Sequence, residues 1–259
     1  MRVGTYQFAV THGDKRQNLE RVAEATRDAS LDLLVLPELF TTGLLFAHPG
    51  EVRELAETIP DGPTCRTLRE IAENLGGVVV GSILEESTGV VYNTAVAIGP
   101  RGLVGRHRKV HLPDDEVGWF QPGEDMGVIT LGAVRVGILI CFECWVPEAA
   151  RSLALQGAQI IAQPSNVVRE TALQVIAVRA MENGVFWVSG DRTGTESVSG
   201  VAYRFLGESR VLDPEGRALA ASHGRDELLM AEIDPDVAHP VQIAASSHLR
   251  QELLRYNNS

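Results

Sequence analysis

Short apolar runs alternate along the chain with segments in which apolar residues recur at the spacing of a helix face. A run of roughly four to eight apolar residues between turn residues is typical of a buried strand. This pattern predicts strands at 3–10, 33–36, 78–84, 90–98, 103 onward, 134–140, 159–163, 185–189, 209–212 and 228–233.

Helix start and stop residues mark the intervening segments. Aspartate is favoured just before a helix, proline in its first turn and glycine just after its end. These signals predict helices after Asp14, over 63–75, from Pro147 to Gly157, and over 171–183. Cys65 shares the apolar face of the second helix with Leu68 and Ile71, so we predict that it is a core residue.

The order of these elements predicts the fold class. Strands and helices alternate, and some strands are neighbours along the chain, which favours an α/β fold with a mixed sheet, or with two sheets, covered by helices. The 259 residues contain no linker, low-complexity tract or internal repeat, so we predict a single domain over 1–259. Residues 240–259 show no firm hydrophobic pattern and are predicted to form a C-terminal tail.

Composition and charge argue against several classes of partner. Hydrophobic residues make up 44% of the chain, and no apolar run approaches the roughly 18 residues needed to span a bilayer. The formal net charge of −11 argues against a nucleic-acid partner, which binds clustered Lys and Arg. Three cysteines do not make a disulfide framework, and the first residues lack the apolar core of a signal peptide. We therefore expect a reducing, cytoplasmic setting.

Three residues with reactive or charged side chains are candidates for catalytic roles. Glu38 and Cys141 each follow a predicted buried strand, and ligands gather at the carboxyl ends of strands in α/β sheets. Lys109 lies in the basic segment 105–113. Seen alone, they are ordinarily a solvated carboxylate, a small core residue and part of a basic surface turn. Together they would supply a base, a nucleophile and an electrophile, although their spacing does not show that they converge.

The pair Cys141 and Cys144 has C-x-x-C spacing, which suits a redox pair, half of a zinc site, or a nucleophile beside a second cysteine. The sequence offers no second close Cys or His pair to complete a zinc site. His107 and His111 lie in a basic segment before a proline and are predicted to be structural. The motifs of serine hydrolases, phosphate-binding loops and zinc proteases, G-x-S-x-G, G-x-x-x-x-G-K-[ST] and H-E-x-x-H, are absent.

Three segments of the chain resemble the signature blocks of a known family. They are Leu-Pro-Glu-Leu-Phe-Thr-Thr-Gly at 36–43, His-Arg-Lys-Val-His-Leu-Pro at 107–113, and Gly-Ile-Leu-Ile-Cys-Phe-Glu-Cys-Trp-Val-Pro-Glu at 137–148. In this order they are similar to the glutamate, lysine and nucleophile blocks of the nitrilase superfamily, also called carbon–nitrogen hydrolases. The resemblance covers nearly the whole chain and implies a four-layer α-β-β-α sandwich of two mixed sheets flanked by helices.

The resemblance also implies roles for individual residues and a mechanism without metal or organic cofactor. Glu38 would be the general base, Lys109 an oxyanion donor and Cys141 the nucleophile. Glu116 resembles an additional active-site glutamate of the family, with its alignment open to within a residue or two. The residues implied to bind substrate are Phe120, Phe142, Trp145 and Asn166. A homodimer that pairs helices, or a higher homo-oligomer, is implied as well.

Two positions depart from the family pattern. Glu143 lies two residues after the predicted nucleophile, where amidase-type members often carry aspartate. Asp191 precedes Arg192, where members often carry asparagine. We expect both residues to alter the edge of the pocket without abolishing the chemistry.

The resemblance implies hydrolysis of a small, neutral primary amide. The pattern at 141–151 is also close to that of N-carbamoylputrescine amidases, which makes a carbamoyl amine the alternative, together with a nitrile. A substrate that bears a carboxylate is less expected, because Cys144 and Trp145 stand where carbamoyl-amino-acid hydrolases tend to place arginines. A non-catalytic binding subunit is the remaining alternative. The presence of all three predicted catalytic residues argues against it.

Overall fold

The computed structural model describes residues 1–240, and nearly all of the predicted tail, 241–259, lies outside the described residues. The strands in chain order are β1 (Arg2–Ala9), β2 (Leu33–Val35), β3 (Val78–Ser87), β4 (Val90–Gly99), β5 (Gly102–Arg108), β6 (Val128–Leu131), β7 (Val134–Ile138), β8 (Ile160–Pro164), β9 (Phe186–Gly190), β10 (Arg192–Thr193), β11 (Thr195–Val198), β12 (Val201–Arg204), β13 (Arg210–Leu212), β14 (Ala218–Ala221) and β15 (Glu227–Glu232). The α-helices are α1 (Lys15–Thr26), α2 (Pro49–Leu55), α3 (Pro63–Leu75), α4 (Pro147–Leu155) and α5 (Thr171–Asn183). Short 3₁₀ helices cover Cys141–Trp145 and Pro235–Val237.

Two mixed sheets form the centre of the molecule. The first has the order β10-β1-β2-β3-β4-β5, and β15 also pairs with β1. The second has the order β14-β13-β9-β8-β7-β6. In each sheet a parallel core is extended by antiparallel strands: β2 and β3 are parallel whereas β3 and β4 are antiparallel, and β7 and β8 are parallel whereas β6 and β7 are antiparallel. The β11–β12 hairpin is paired separately.

Apolar side chains join the sheets to each other and to the helices in four layers. The layer between the sheets includes Val3, Leu33, Val35 and Val80 of the first sheet and Val136, Ile138, Ile160 and Val188 of the second. Helices α1 and α3 cover the outer face of the first sheet, and α4 and α5 cover the outer face of the second. The α-β-β-α sandwich implied by the resemblance is confirmed.

Most predicted elements are confirmed, and their end signals act as expected. The Asp14 side chain caps α1 by accepting from the backbone N–H of Gln17 at 3.0 Å. Helices α3 and α5 have the predicted bounds and end at Gly76 and Gly184, which are left-handed at φ 74° and 63°. Cys65 is a core residue, as predicted, with 3% of its surface exposed.

The differences from prediction fall where hydrophobic periodicity is weak. The strand predicted over 134–140 ends at Ile138, because the 3₁₀ helix that follows begins immediately after Ile140. Helix α2 and the short strands β6, β10, β11, β12 and β14 were not predicted. Strands β11 and β12 are mostly exposed, so no regular apolar alternation marks them.

The sandwich brings the ends of several strands together at one edge. The backbone N–H of Glu38, after β2, donates to the carbonyl of Ser165, after β8, at 3.2 Å. Gly190 closes the end of β9 against β2: a Cβ there would lie 2.7 Å from the carbonyl oxygen of Val35, so only glycine fits. The two sheets therefore approach closely at the edge where the predicted catalytic residues lie.

We predict that Leu68→Ala lowers the free energy of unfolding by about 2–5 kcal/mol, because Leu68 is fully buried between α3 and the first sheet. Urea denaturation measures this loss. The matched control is Glu70→Ala, on the exposed face of the same helix, which should change stability by less than about 0.5 kcal/mol. Equal effects of the two substitutions would contradict the packing of α3 on the sheet.

Candidate active site

A buried ammonium group lies between two carboxylates at this edge. Lys109 Nζ, just after β5, donates to Glu38 Oε1 at 2.7 Å and to Glu116 Oε1 at 2.5 Å. Burial disfavours the charged lysine, but the two carboxylates outweigh this effect and hold the pKa of Lys109 above its usual range. Lys109 is therefore a permanent cation, suited to stabilise negative charge and unsuited to accept a proton.

Both carboxylate oxygens of Glu38 are held by hydrogen bonds. Asn93 Nδ2 donates to Oε1 at 2.8 Å, and Asn166 Nδ2 donates to Oε2 at 3.1 Å. The Glu38 side chain is fully buried. Its orientation is thus determined by side chains from both sheets, because Asn93 lies on β4 and Asn166 follows β8.

Glu116 is the acidic residue of its loop that meets Lys109. Its neighbours Asp114 and Asp115 are exposed, whereas Glu116 is buried. Burial raises the pKa of Glu116, Lys109 opposes this rise, and the negative charge of Glu38 adds to it. Its Oε2 atom has no hydrogen-bond partner among residues 1–240.

Cys141 occupies a strained turn at the first position of the 3₁₀ helix. Its φ is 42°, in the left-handed region, which costs a residue with a Cβ about 1–2 kcal/mol. The Sγ atom lies 3.8 Å from the carbonyl oxygen of Asn166, to which the thiol donates. Burial and then the charge of Glu38 raise the pKa of the Cys141 thiol, while Lys109 lowers it. The resting side chain is therefore a thiol that needs a base before it can act as a nucleophile.

Two side chains of the second sheet hold the Cys141 turn in place through hydrogen bonds. Gln163 Nε2, on β8, donates to the carbonyl oxygen of Cys141 at 3.0 Å. Trp187 Nε1, on β9, donates to Gln163 Oε1 at 2.8 Å and so holds the amide in that orientation. Both side chains are buried, which means that water does not compete for these bonds.

Glu143 connects the Cys141 turn to the segment after β5 that contains Lys109. Its carboxylate accepts from the backbone N–H of Ile140 at 2.8 Å and of Val110 at 2.9 Å, and Oε2 lies 2.7 Å from His107 Nε2. Burial alone would raise the pKa of Glu143, but His107 and the hydrogen bonds outweigh it and hold that pKa well below its usual range. The structural role predicted for His107 is the orientation of this carboxylate.

Asp191, the second departure from the family pattern, lies beneath the loop that carries Asn166. Its carboxylate accepts from the backbone N–H of Val167 at 2.8 Å and of Glu208 at 2.9 Å. Burial raises the pKa of Asp191 to about 7, against these hydrogen bonds. Asp191 thus supports the wall of the site from outside it.

A cavity of about 700 Å³ opens beside Cys141, Glu38 and Glu116. Three of the predicted substrate-binding residues line it, namely Phe142, Trp145 and Asn166. The fourth, Phe120, does not. It is buried in a separate apolar cluster, where its ring meets that of Phe46 edge-on at a centroid distance of 6.3 Å. Phe120 is 6% exposed and is not among the residues that line the cavity.

Other residues of the cavity wall were not predicted from the sequence. They include Gln163, Arg169 and the segment 202–204 of strand β12. The β11–β12 hairpin carries one usable signal, the dipeptide Ser199-Gly200, whose residues both have positive φ, at 51° and 86°. Two-residue turns of this kind connect hairpin strands.

No group of three or more His, Cys, Asp or Glu side chains within residues 1–240 is arranged to hold a metal ion. The helices of the same range include none with the length and apolar character required to cross a membrane.

We predict that Glu143→Gln destabilises the protein at pH 7 by about 1–3 kcal/mol, because an amide cannot accept from all of these buried donors. The native carboxylate stays ionised where the unfolded one takes up a proton, so wild-type stability falls as the pH drops below about 4.5. In the variant this dependence should be shallower. Urea denaturation between pH 7 and 3 measures both effects.

The control is Glu148→Gln, an exposed glutamate of the next helix, which should follow the wild type at every pH. A variant at Glu143 with unchanged stability at pH 7 would contradict the role of this carboxylate as a structural link.

The sequence of this chain matches a known protein family and several known proteins. The model of the carbon–nitrogen hydrolase family matches residues 2–242. The chain is 42% identical over 216 residues to a nitrilase from Pyrococcus abyssi, across 82% of this chain and 80% of that protein. It is 35% identical over 245 residues to an (R)-stereoselective amidase from a Pseudomonas species, across 91% and 86%. It is 30% identical over 260 residues to an N-carbamoylputrescine amidase from Solanum lycopersicum, across 90% and 86%.

Solved structures give the same result at the level of the fold. A carbon–nitrogen hydrolase from Helicobacter pylori G27 superposes with a TM-score of 0.83 at 25% identity, across 100% of this chain and 93% of that one. The family match extends over nearly the whole sequence and includes all three signature segments. The chain belongs to the carbon–nitrogen hydrolases, the nitrilase superfamily of enzymes.

Proposed function

We propose that this protein hydrolyses a small primary amide to a carboxylic acid and ammonia through a thioester on Cys141. The observation that carries the proposal is the buried contact of Lys109 with Glu38 and Glu116, beside the strained Cys141 turn and at a cavity. Similarity to the Pseudomonas amidase supports the choice of amides.

In the first half-reaction, Glu38 takes the thiol proton while Sγ of Cys141 bonds to the carbonyl carbon. Lys109 and the backbone N–H of Phe142 stabilise the oxyanion, because the first N–H groups of a helix have no partner within it. Each such donor contributes about 3 kcal/mol in well-studied enzymes. The C–N bond then breaks, the proton held by Glu38 leaves with ammonia, and the acyl group stays on Sγ.

In the second half-reaction, Glu38 takes a proton from water as the water oxygen bonds to the acyl carbon. The C–S bond breaks, the acid leaves, and the proton returns to Sγ. The balance is one amide and one water consumed for one acid and one ammonia, with the enzyme restored. Glu116 stabilises the Lys109 cation through both steps, which keeps Lys109 from competing for the proton.

The polar atoms of the cavity favour an amide over a nitrile. Asn166 Oδ1 is buried and has no hydrogen-bond partner among residues 1–240, and the same holds for Glu116 Oε2. Both residues line the cavity. A primary amide carries two N–H donors that these oxygen atoms would accept, whereas a nitrile carries none.

Nitriles and carbamoyl amines are the alternative substrates, since the same residues would act on them. A nitrile is favoured by the identity to the Pyrococcus nitrilase, and a carbamoyl amine by the identity to the plant amidase and the pattern at 141–151. A non-catalytic subunit would have no use for a strained cysteine beside a buried cation. A single domain over 1–259, a cytoplasmic setting, a homodimer and independence of cofactors stay predictions.

We predict that Cys141→Ala lowers the rate of ammonia release by at least about 10³-fold, because it removes the nucleophile. The assay covers a panel of primary amides, carbamoyl amines and nitriles, and mass spectrometry of the trapped wild type should find the acyl group on Cys141. The matched control is Cys144→Ser, which should keep most of the activity and change mainly the substrate preference. Full turnover by Cys141→Ala, or an adduct on Cys144, would show that the nucleophile is assigned wrongly.

We predict that Gln163→Met lowers kcat about tenfold with little change in KM, because it removes the bond to the Cys141 carbonyl and lets the nucleophile shift. Trp187→Phe removes only the donor to Gln163 and should affect kcat less, even if it costs more stability. Steady-state kinetics and thermal denaturation separate the two effects. An unchanged kcat in folded Gln163→Met would contradict a positioning role for this amide.

A further inference from the structure

Two arginines line the cavity beside Cys141, although neither lies in the segment directly after Cys141 in the sequence. Arg169 lies in the loop after β8, and Arg204 ends strand β12. Both residues are exposed, and within residues 1–240 neither guanidinium forms a hydrogen bond or an ion pair. The cavity of a strongly acidic chain therefore carries two cations that are available to a ligand.

Asp115, an acidic residue of the same cavity wall, is engaged by another group. Asp115 Oδ2 accepts from the Tyr203 hydroxyl at 2.8 Å, which joins the β11–β12 hairpin to the loop that carries Glu116. This bond raises the pKa of Tyr203, burial adds to the rise, and the positive charge of Arg169 opposes it. The hydrogen bond holds the hairpin wall, and thereby Arg204, in place at the cavity.

Beside Cys141, the cavity wall has a net negative charge, opposite in sign to the two arginines. Glu38 and Glu116 share the single cation of Lys109, so an anionic group close to the reacting carbonyl would be repelled. The cavity wall also has an apolar part, to which Phe142, Trp145, Val167, Ala172 and Ile176 contribute. A volume of about 700 Å³ also exceeds what the smallest amides would fill.

We infer that the preferred substrate is a primary amide whose acyl chain ends in a carboxylate, and that Arg169 and Arg204 are the specificity-determining residues that bind this carboxylate. Guanidinium groups match the planar geometry of carboxylates and bind them through paired hydrogen bonds. The reaction would convert the monoamide of a dicarboxylic acid and water to the dicarboxylate and ammonium, with the C–N bond broken and a C–O bond formed. The inference rests on the proposed function.

This assignment differs from the expectation of a neutral substrate. The expectation of a neutral substrate depends only on the positions directly after Cys141. There, Cys144 and Trp145 replace the arginines of carbamoyl-amino-acid hydrolases. The structure brings arginines to the cavity from a loop and a hairpin that are distant in sequence. Since the carboxylate must avoid Glu38 and Glu116, the chain between it and the amide must also exceed a minimum length.

The test compares glutaric acid monoamide with valeramide, which has the same chain length and no carboxylate. For the wild type we expect kcat/KM to be about tenfold higher for the monoamide, mainly through KM, with the ratio declining as salt is added. The monoamides of shorter diacids should be poorer substrates than that of glutaric acid. Arg169→Gln and Arg204→Gln should each lower the ratio several-fold, and Arg169→Lys should restore part of it.

The control is Arg101→Gln, an exposed arginine in the β4–β5 turn outside the cavity, which should leave both kcat/KM values unchanged. Valeramide turnover without preference for the monoamide would overturn this inference and leave the proposed function intact. A preference that survives both glutamine substitutions would overturn the role of the two arginines. A wild type that cleaves no amide would overturn the proposed function and this inference together.

Discussion

The Lys109 ammonium group, buried between Glu38 and Glu116, is the interaction on which the rest of the site depends. A buried cation costs several kcal/mol unless it is paired at close range. The pairing here requires three separate segments to meet: the end of β2, the end of β5 and the loop that contains Glu116. The two sheets and their helices supply the apolar burial that holds these segments together, since charge pairing alone would not.

A second constraint fixes Cys141, the proposed nucleophile, relative to this cation. The Glu143 carboxylate bonds to the backbone on both sides, at Ile140 and at Val110, so the Cys141 turn and the Lys109 segment form one unit. Gln163, on the strand next to the one that precedes Cys141, holds the Cys141 carbonyl. A residue in the left-handed region persists only where its surroundings determine it several times over. The strain at Cys141 is compensated by these bonds, and they keep the thiol within the influence of Glu38 and Lys109.

In the proposed mechanism, different parts of the fold carry the chemistry and the specificity. The groups proposed to perform the hydrolysis follow strands of the two sheets, where packing keeps them rigid. The groups that shape the cavity mouth lie on the loop after β8 and on the β11–β12 hairpin, which stands apart from both sheets. Loops and hairpins tolerate substitution better than core strands. Relatives with the names nitrilase, amidase and N-carbamoylputrescine amidase match most of this chain, as expected when one scaffold supports several functions.

Hydrophobic periodicity and helix-end residues in the sequence determined most of the strands and helices and the α/β class, because they are local properties of the chain. The contiguous motifs indicated the family, and through that resemblance the four-layer sandwich and the candidates Glu38, Lys109 and Cys141. Only the tertiary structure decided which polar residues meet. It placed Phe120 in an apolar cluster instead of among the cavity-lining residues, showed that Glu116 rather than its acidic neighbours contacts Lys109, and brought Arg169 and Arg204 to the same cavity. Such contacts join residues far apart in sequence through sheet order and hairpin placement, and a single sequence carries no local pattern that encodes those distances.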